Sequence, residues 1–248
     1  MDIGLEMTSG CFAQNVAKNF NSKWNKKTIL NEMNNYVKII NIIDKSGSMG
    51  SIIDTAISGF NEFLMDQKRV EGRALVSTVL FSDGYYPIYE DMDVQSVEFL
   101  NKNNYTTNGS TALYDAIGRT INNEIDKLGN LPMEERPDKI LCVILTDGEE
   151  NHSSKFTKDQ IKKLIGEMRE DFKWEFIFLA ANEQASTTAS TLNISASNSY
   201  AFANSAGGLK DAYKGVSFAA TSYRQSKSVK MDNLMDDYKS TKKDEESK

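Results

Sequence analysis

The sequence predicts an α/β protein with a doubly wound, mostly parallel sheet, one antiparallel edge strand and helices on both faces. Short apolar runs rich in β-formers alternate along the chain with segments whose apolar residues recur at helical spacing. This alternation is typical of a parallel sheet that is covered on both faces. The turn Asp83-Gly84 joins two neighbouring β-rich runs directly, which predicts one antiparallel hairpin.

Six runs are predicted to form the strands. The clearest is Lys139–Thr146, whose unbroken apolar character is typical of a strand buried on both faces. In chain order the predicted strands are Tyr36–Ile43, Ala74–Ser82, Tyr85–Tyr89, Lys139–Thr146, Glu175–Ala181 and Tyr200–Ala203.

Helices are predicted between the strands. Ile53, Ile57, Phe60 and Leu64 form the first apolar stripe, and Leu113, Ile117, Ile121, Ile125 and Leu128 form the second. Ser51 is expected to cap the first helix and Gly129 to end the second, while Thr157 and Gln160 resemble a capping box that opens a helix through Arg169. Further helices are expected at 182–192 and 208–224.

The chain is expected to hold one domain with two peripheral segments. Its 248 residues suit a single α/β domain. We expect residues 1–34 to be an N-terminal arm that is partly disordered and residues 35–225 to be the domain. Residues 226–248 are expected to be a charged C-terminal tail, disordered at its end.

Composition restricts the classes of function. The formal net charge of −6 argues against a general nucleic-acid binder, which normally carries a basic face. No apolar stretch approaches the length that crosses a bilayer, and no signal peptide is visible, so we expect a cytoplasmic protein without a membrane partner. Cys142 lies in an apolar run and Cys11 in a polar stretch, which suits two reduced thiols.

Oxygen-bearing side chains follow the ends of separate elements. Asp44, Ser46 and Ser48 follow one predicted strand, Asp147 follows another, and Thr111 lies in a loop before a predicted helix. Right-handed crossovers bring the carboxyl ends of parallel strands to one edge, where we expect these five residues to converge. Carboxylates and hydroxyls are hard oxygen donors, so the sequence predicts a site for Mg²⁺ or Mn²⁺.

The loops around these residues are expected to suit such a site. Free backbone N–H groups after Asp44 can orient its carboxylate. Gly47 is expected to let its loop turn without a Cβ clash, and Gly109 to let the loop that carries Thr111 approach closely. Five ligands, not all of them direct, would leave at least one coordination position of a six-coordinate ion open.

The three segments together resemble the metal-ion-dependent adhesion site of von Willebrand factor A (vWA) domains, over roughly residues 36–224. The matching motifs are Asp44-x-Ser46-x-Ser48, Thr111 and Thr146-Asp147-Gly148. The resemblance implies a Rossmann-like fold and a metal that binds a protein partner without performing chemistry. It also implies that an Asp or Glu of the partner fills the open position. The metal ligands would then be Asp44, Ser46, Ser48, Thr111 and Asp147.

The later part of the chain is similar to small stand-alone members of this family in bacteria and bacteriophages, some of them in tellurium-resistance systems. The segments that carry this likeness are 178–182 and 219–224. It implies an adaptor or assembly factor. The acidic pair Glu149-Glu150 departs from the pattern and would repel an acidic partner.

Other interpretations remain open from the sequence. The open metal position beside His152 suits a Mg²⁺-dependent phosphate-ester hydrolase, and a metal that only stabilises a structural subunit is a further possibility. Asp44 could belong to a helix-capping loop, and Thr111 could cap the helix that follows it. Ser46 or Ser48 could form a triad with His152, although no Gly-x-Ser-x-Gly motif supports this, and His152 is expected to be an exposed loop residue.

Overall fold

The computed structural model describes residues 35–147, 150–181, 185–228 and 233–246. The predicted N-terminal arm at 1–34, Gly148 and Glu149 lie outside the described residues. Within these ranges the chain forms one six-stranded sheet in the order β3-β2-β1-β4-β5-β6. The strands are β1 (Val37–Asp44), β2 (Ala74–Phe81), β3 (Tyr85–Asp93), β4 (Lys139–Thr146), β5 (Glu175–Ala180) and β6 (Ser199–Ala201).

All pairings in the sheet are parallel except the hairpin of β2 and β3. The predicted fold class is therefore confirmed, including the antiparallel edge strand. The strand order is that of a Rossmann-like doubly wound sheet, and it reverses direction between β1 and β4. In such sheets ligands bind outside the carboxyl ends of the strands at this switch point.

Helices cover both faces of the sheet because successive side chains of a strand point to opposite faces. Ile39 and Ile43 of β1 join one hydrophobic core, and Ile40 and Ile42 join the other. The helices are α1 (Ile53–Arg69), α2 (Leu113–Asn130), α3 (Lys158–Asp171), α4 (Ala185–Thr191), α5 (Ala206–Gln225) and α6 (Leu234–Glu246). Residues of α1, α5 and α6 line the first core, and residues of α2, α3 and α4 line the second.

Helix ends were predicted with mixed success. The capping box of Thr157 and Gln160 is confirmed at the start of α3. The prediction that Ser51 caps α1 is wrong, because a short 3₁₀ turn over Gly47–Ser51 precedes the helix and Ile52 takes the cap position. The prediction for Gly129 is also wrong, since α2 continues through Asn130 and the chain leaves it in an extended conformation.

The segment after residue 225 differs most from its prediction. A charged tail that is disordered at its end was expected, but 234–246 form α6, whose Leu234 and Met235 are buried. The helix packs closely against α5 at Gly215, where an added Cβ would lie 2.7 Å from the Met235 methyl group. Most of the tail is charged or polar, so two apolar residues at the start of the helix were too weak a pattern to predict that it packs against the domain.

None of the helices in the described ranges is long and apolar enough to cross a membrane.

Candidate metal centre

The candidate site lies at the switch point of the sheet. β1 ends at Asp44 and the adjacent β4 ends at Thr146, immediately before Asp147. The two strands run parallel with Ile43 opposite Leu145, so both carboxyl ends reach the same edge. Residues that are 103 positions apart in the chain, Asp44 and Asp147, therefore become neighbours.

Asp44 is held rigidly by its surroundings. Its Oδ1 accepts a hydrogen bond from the backbone N–H of Ser46 at 2.7 Å, and its Oδ2 accepts one from the hydroxyl of Thr146 at 2.7 Å. The hydroxyl of the buried Tyr105 donates to the backbone carbonyl of Asp44 at 2.5 Å. The carboxylate is fully buried. It makes no helix cap, so the helix-capping interpretation of Asp44 is wrong.

A chain of hydroxyl groups links the first loop to Asp147. The hydroxyl oxygens of Ser46 and Ser48 lie 3.0 Å apart, and the Ser48 hydroxyl donates to Oδ1 of Asp147 at 2.8 Å. Because Ser48 gives its proton to the carboxylate, the Ser46 hydroxyl is the donor between the two serines. Ser46 is buried and Ser48 is exposed, so the chain runs from the interior to the surface.

The second oxygen of Asp147 is buried without a partner in the part of the chain that the structure describes. Its Oδ2 is buried and accepts no hydrogen bond from any residue that the structure describes. A buried carboxylate oxygen without a hydrogen bond is costly. A divalent cation would satisfy this oxygen, and the surrounding hydroxyls are the uncharged donors that Mg²⁺ accepts. The residues present therefore fit such an ion.

Burial also shifts both carboxyl groups toward their neutral forms. It raises the pKa of Asp44 above its ordinary value, and the nearby charge of Asp147 raises it further against the lowering effect of the hydrogen bonds. Burial likewise raises the pKa of Asp147. A cation between the two carboxylates would act in the opposite direction by favouring their charged forms.

Backbone hydrogen bonds join the loop that carries Thr111 to the loop that follows Asp44. The backbone N–H of Asn108 donates to the carbonyl of Lys45 at 2.9 Å, and that of Gly47 donates to the carbonyl of Gly109 at 3.0 Å. Gly109 has a φ of 78°, and a Cβ there would lie 2.5 Å from a carboxylate oxygen of Asp83, so its predicted need for glycine is confirmed. Across the described ranges, no hydrogen bond joins the Thr111 hydroxyl to the other four residues.

Gly47 does not need the freedom that the sequence suggested. A Cβ added there would lie 3.6 Å from the carbonyl of Gly109, an ordinary contact, and the residue has no positive φ. The prediction that Thr111 caps α2 is also wrong, because Ala112 holds the cap position and no side chain closes it. The Thr111 hydroxyl is therefore not used by the helix.

Asn151, in the loop after β4, forms two hydrogen bonds with the backbone of Thr111. Its side-chain oxygen accepts from the Thr111 N–H at 2.9 Å, and its own N–H donates to the Thr111 carbonyl at 3.1 Å. Asn151 and Tyr105 were not predicted from the sequence, because single polar residues next to a motif carry no spacing signal of their own. Thr146 was named as part of the Thr146-Asp147-Gly148 motif, but no role was predicted for its side chain.

Glu150 is turned into the protein. Its carboxylate accepts hydrogen bonds from the N–H groups of Tyr114, His152 and Ser153 and from the Ser153 hydroxyl. These four donors fix the direction of the carboxylate but leave its charge in place, so the expectation that Glu150 repels an acidic partner stays a prediction. Glu149, the other half of the predicted acidic pair, lies outside the described residues.

The alternative chemistries find less support in the geometry. His152 is exposed, as expected, and the Ser46 and Ser48 hydroxyls bond to each other and to Asp147 rather than to its ring. Among the described residues, no group of three or more His, Cys, Asp or Glu side chains could hold a metal. The candidate centre differs from such groups because hydroxyls make up most of its donors.

No protein-family model matches the chain, and no curated protein matches its sequence. Among solved structures, the chain is similar to two of proximal thread matrix protein 1 from the mussel byssus, each at 14% identity. The first has a TM-score of 0.51 and covers 75% of this chain and 46% of that chain. The second has a TM-score of 0.50 and covers 73% of this chain and 45% of that chain. It also matches the ArnB paralogue VWA2 from Sulfolobus acidocaldarius at 16% identity, with a TM-score of 0.47, covering 72% of this chain and 44% of that one.

The chain thus spans less than half the length of these solved proteins. At such low identity the likeness to the mussel protein shows the fold alone, and the match to VWA2 is too distant to carry an argument. The architecture agrees with the Rossmann-like vWA fold that the sequence motifs imply.

Proposed function

We propose that this chain is a vWA-type, non-enzymatic module that binds a protein partner through a divalent cation, Mg²⁺ or Mn²⁺. Asp44, Ser46, Ser48, Thr111 and Asp147 would hold the ion. One observation carries the proposal: at the switch point, a chain of hydroxyls ends on a carboxylate whose second oxygen is buried and has no partner within the described ranges.

The residues present suit capture of a carboxylate. A bound cation supplies a Lewis-acidic position for an Asp or Glu of the partner. Asp44 and Asp147 offset the charge of a divalent ion, and the hydroxyls do not reduce it further, so the ion stays attractive to another carboxylate. Ser48 is exposed, which places one ligand at the surface where a partner can approach.

We extend the proposal to a cytoplasmic adaptor or assembly factor of the stand-alone bacterial or bacteriophage type. The segments 178–182 and 219–224 support this narrower assignment through the resemblance described above. The thiol of Cys142 is free and buried in β4, which suits a reducing compartment.

The proposal is tested by combining cation binding with partner capture. Titration with Mn²⁺ should show binding to the wild type that is lost in Asp44→Ala and weakened in Ser48→Ala. Ser58→Ala is a matched control, because Ser58 is an exposed serine of α1 that bonds only within its helix. Pull-downs from native lysate with and without EDTA should retain partners only for wild type and Ser58→Ala with the metal present.

The rival functions predict different results. Partners retained equally by wild type and Asp44→Ala, with or without EDTA, would exclude the metal-dependent mechanism. A stabilising metal alone would lower the melting temperature on chelation without changing partner capture. Turnover of generic phosphate esters that is lost in Asp147→Ala would instead support a hydrolase.

A further inference from the structure

Lys45 stands between Asp44 and Ser46 and is fixed in place by its backbone. Its N–H donates to the carbonyl of Phe81 at 2.7 Å, and its own carbonyl accepts from the N–H of Asn108 at 2.9 Å. Only 8% of the residue is exposed. The position of this lysine is thus set by the same loops that build the candidate metal centre.

The ammonium group of Lys45 reaches solvent although its aliphatic stem is buried. Its Nζ lies 4.4 Å from the centre of the Tyr86 ring. It makes no hydrogen bond and no ion pair with any described residue. It is nevertheless not fully buried. Long cationic side chains commonly bury the stem and keep the head in water in this way. An ordered cation that no described carboxylate pairs therefore keeps a small contact with solvent.

Tyr86 places this ammonium at the same edge of the sheet as the metal centre. Tyr86 lies opposite Leu80 in the hairpin, one step from Phe81, and Phe81 lies opposite Asp44. The Tyr86 side chain is folded over the turn at Gly84, where a Cβ would lie 2.5 Å from its hydroxyl oxygen. The residue as a whole remains 40% exposed. A partner that reaches the metal ligands would therefore also meet the Lys45 and Tyr86 pair.

We propose that Lys45 is a second anchor of the partner site and binds a second carboxylate on the same acidic segment. This inference rests on the proposed function. A flexible surface lysine loses side-chain entropy when it binds, but the buried stem and the Tyr86 ring have already restricted Lys45. The preferred partner is then a protein segment with two acidic residues close together, one for the cation and one for this ammonium.

The experiment uses synthetic peptides as probes. One N-acetylated, amidated peptide carries a single Asp among glycines. Its companions carry an additional Glu one, two or three positions later. Calorimetric titrations with the full chain and Mn²⁺ compare wild type, Lys45→Met and Lys102→Met. Methionine keeps the length of the stem and removes the charge. Lys102 is the control because it is an exposed lysine already paired with Asp54.

For the wild type, at least one peptide with two acids should bind about twofold to fivefold more tightly than the single-acid peptide, the range for one exposed ion pair. Lys45→Met should lose this advantage and still bind the single-acid peptide normally, whereas Lys102→Met should keep it. Should Lys45→Met fail to fold, Lys45→Gln takes its place. Tyr86→Phe should preserve the advantage, and Tyr86→Ala should reduce it.

The inference would be overturned if two-acid peptides gained the same affinity over the single-acid peptide in wild type and Lys45→Met. It would also be overturned if no spacing of the two acids increased affinity. Either result would leave metal-dependent binding of the single-acid peptide intact. Binding that is unaffected by EDTA, or no binding of any peptide, would instead count against the proposed function, and the inference would fall with it.

Discussion

The hydroxyl of Thr146 donates a hydrogen bond to Oδ2 of Asp44 at 2.7 Å and so joins the ends of the two strands at the switch point. The other oxygen of Asp44 is held by the Ser46 N–H, so both oxygens have fixed directions. Hydrogen-bond donors of this kind orient metal-binding carboxylates and so raise the affinity for the metal.

We therefore expect Thr146→Val to weaken Mn²⁺ binding by about tenfold to a hundredfold, the usual effect of losing such a partner. Valine keeps the shape of the side chain but cannot donate. Thr146→Ser should restore most of the affinity, which a purely packing role would not predict. Thr120→Val, a buried threonine of α2 that bonds to Tyr85, is the control and should leave Mn²⁺ affinity unchanged.

Gly109→Ala should destabilise the fold, whereas Gly47→Ala should not. At Gly109 the positive φ and the close approach of Asp83 both oppose a side chain, so we expect a loss of about 1–3 kcal/mol in the free energy of unfolding. At Gly47 there is room for a methyl group. Urea unfolding of both variants in EDTA checks this without the cation. Equal stability of the two variants would contradict the strain at Gly109.

Asp115 should make stability depend on pH in the acidic range. Burial alone would raise its pKa, but hydrogen bonds from the N–H groups of Ser154, Phe156 and Lys155 outweigh burial and hold the pKa below its ordinary value. The group then stabilises the fold above the unfolded-state pKa of about 3.9, and this contribution is lost as pH falls through the folded-state pKa.

The measurement is the unfolding free energy in urea between about pH 6 and about pH 3. Asp115→Asn should be less stable than wild type at the upper end, and the difference should shrink toward the lower end. A constant difference across this range would show that the charge of Asp115 does not contribute.

Helix α6 should contribute to stability through its first turn. Leu234 is 1% exposed, so Leu234→Ala should cost about 2–4 kcal/mol, the usual result of emptying a buried leucine site. Thr241→Ala is a suitable control, because Thr241 lies on the exposed side of the same helix. Chemical denaturation of both variants provides the comparison. A neutral Leu234→Ala would indicate that the tail is not packed, as the sequence first suggested.

The sequence determined the central strands because they are continuous apolar runs such as Lys139–Thr146, and runs of this kind are typical of strands buried on both faces. It also determined the hairpin at Asp83-Gly84 and the candidate residues at strand ends, because loop chemistry and spacing are local. Those features place Asp44 and Asp147 at one edge before any coordinate is known.

Only the tertiary structure decided how the candidate site is supported. The contacts of Thr146 with Asp44 and of Asn151 with Thr111 join segments far apart in the chain, and no periodicity encodes them. The hydrogen bonds of Glu150, and the buried oxygen of Asp147 that no described residue contacts with a donor, likewise depend on which groups surround each carboxylate. Local patterns specify elements, whereas the partners of a buried polar atom are chosen when the elements pack together.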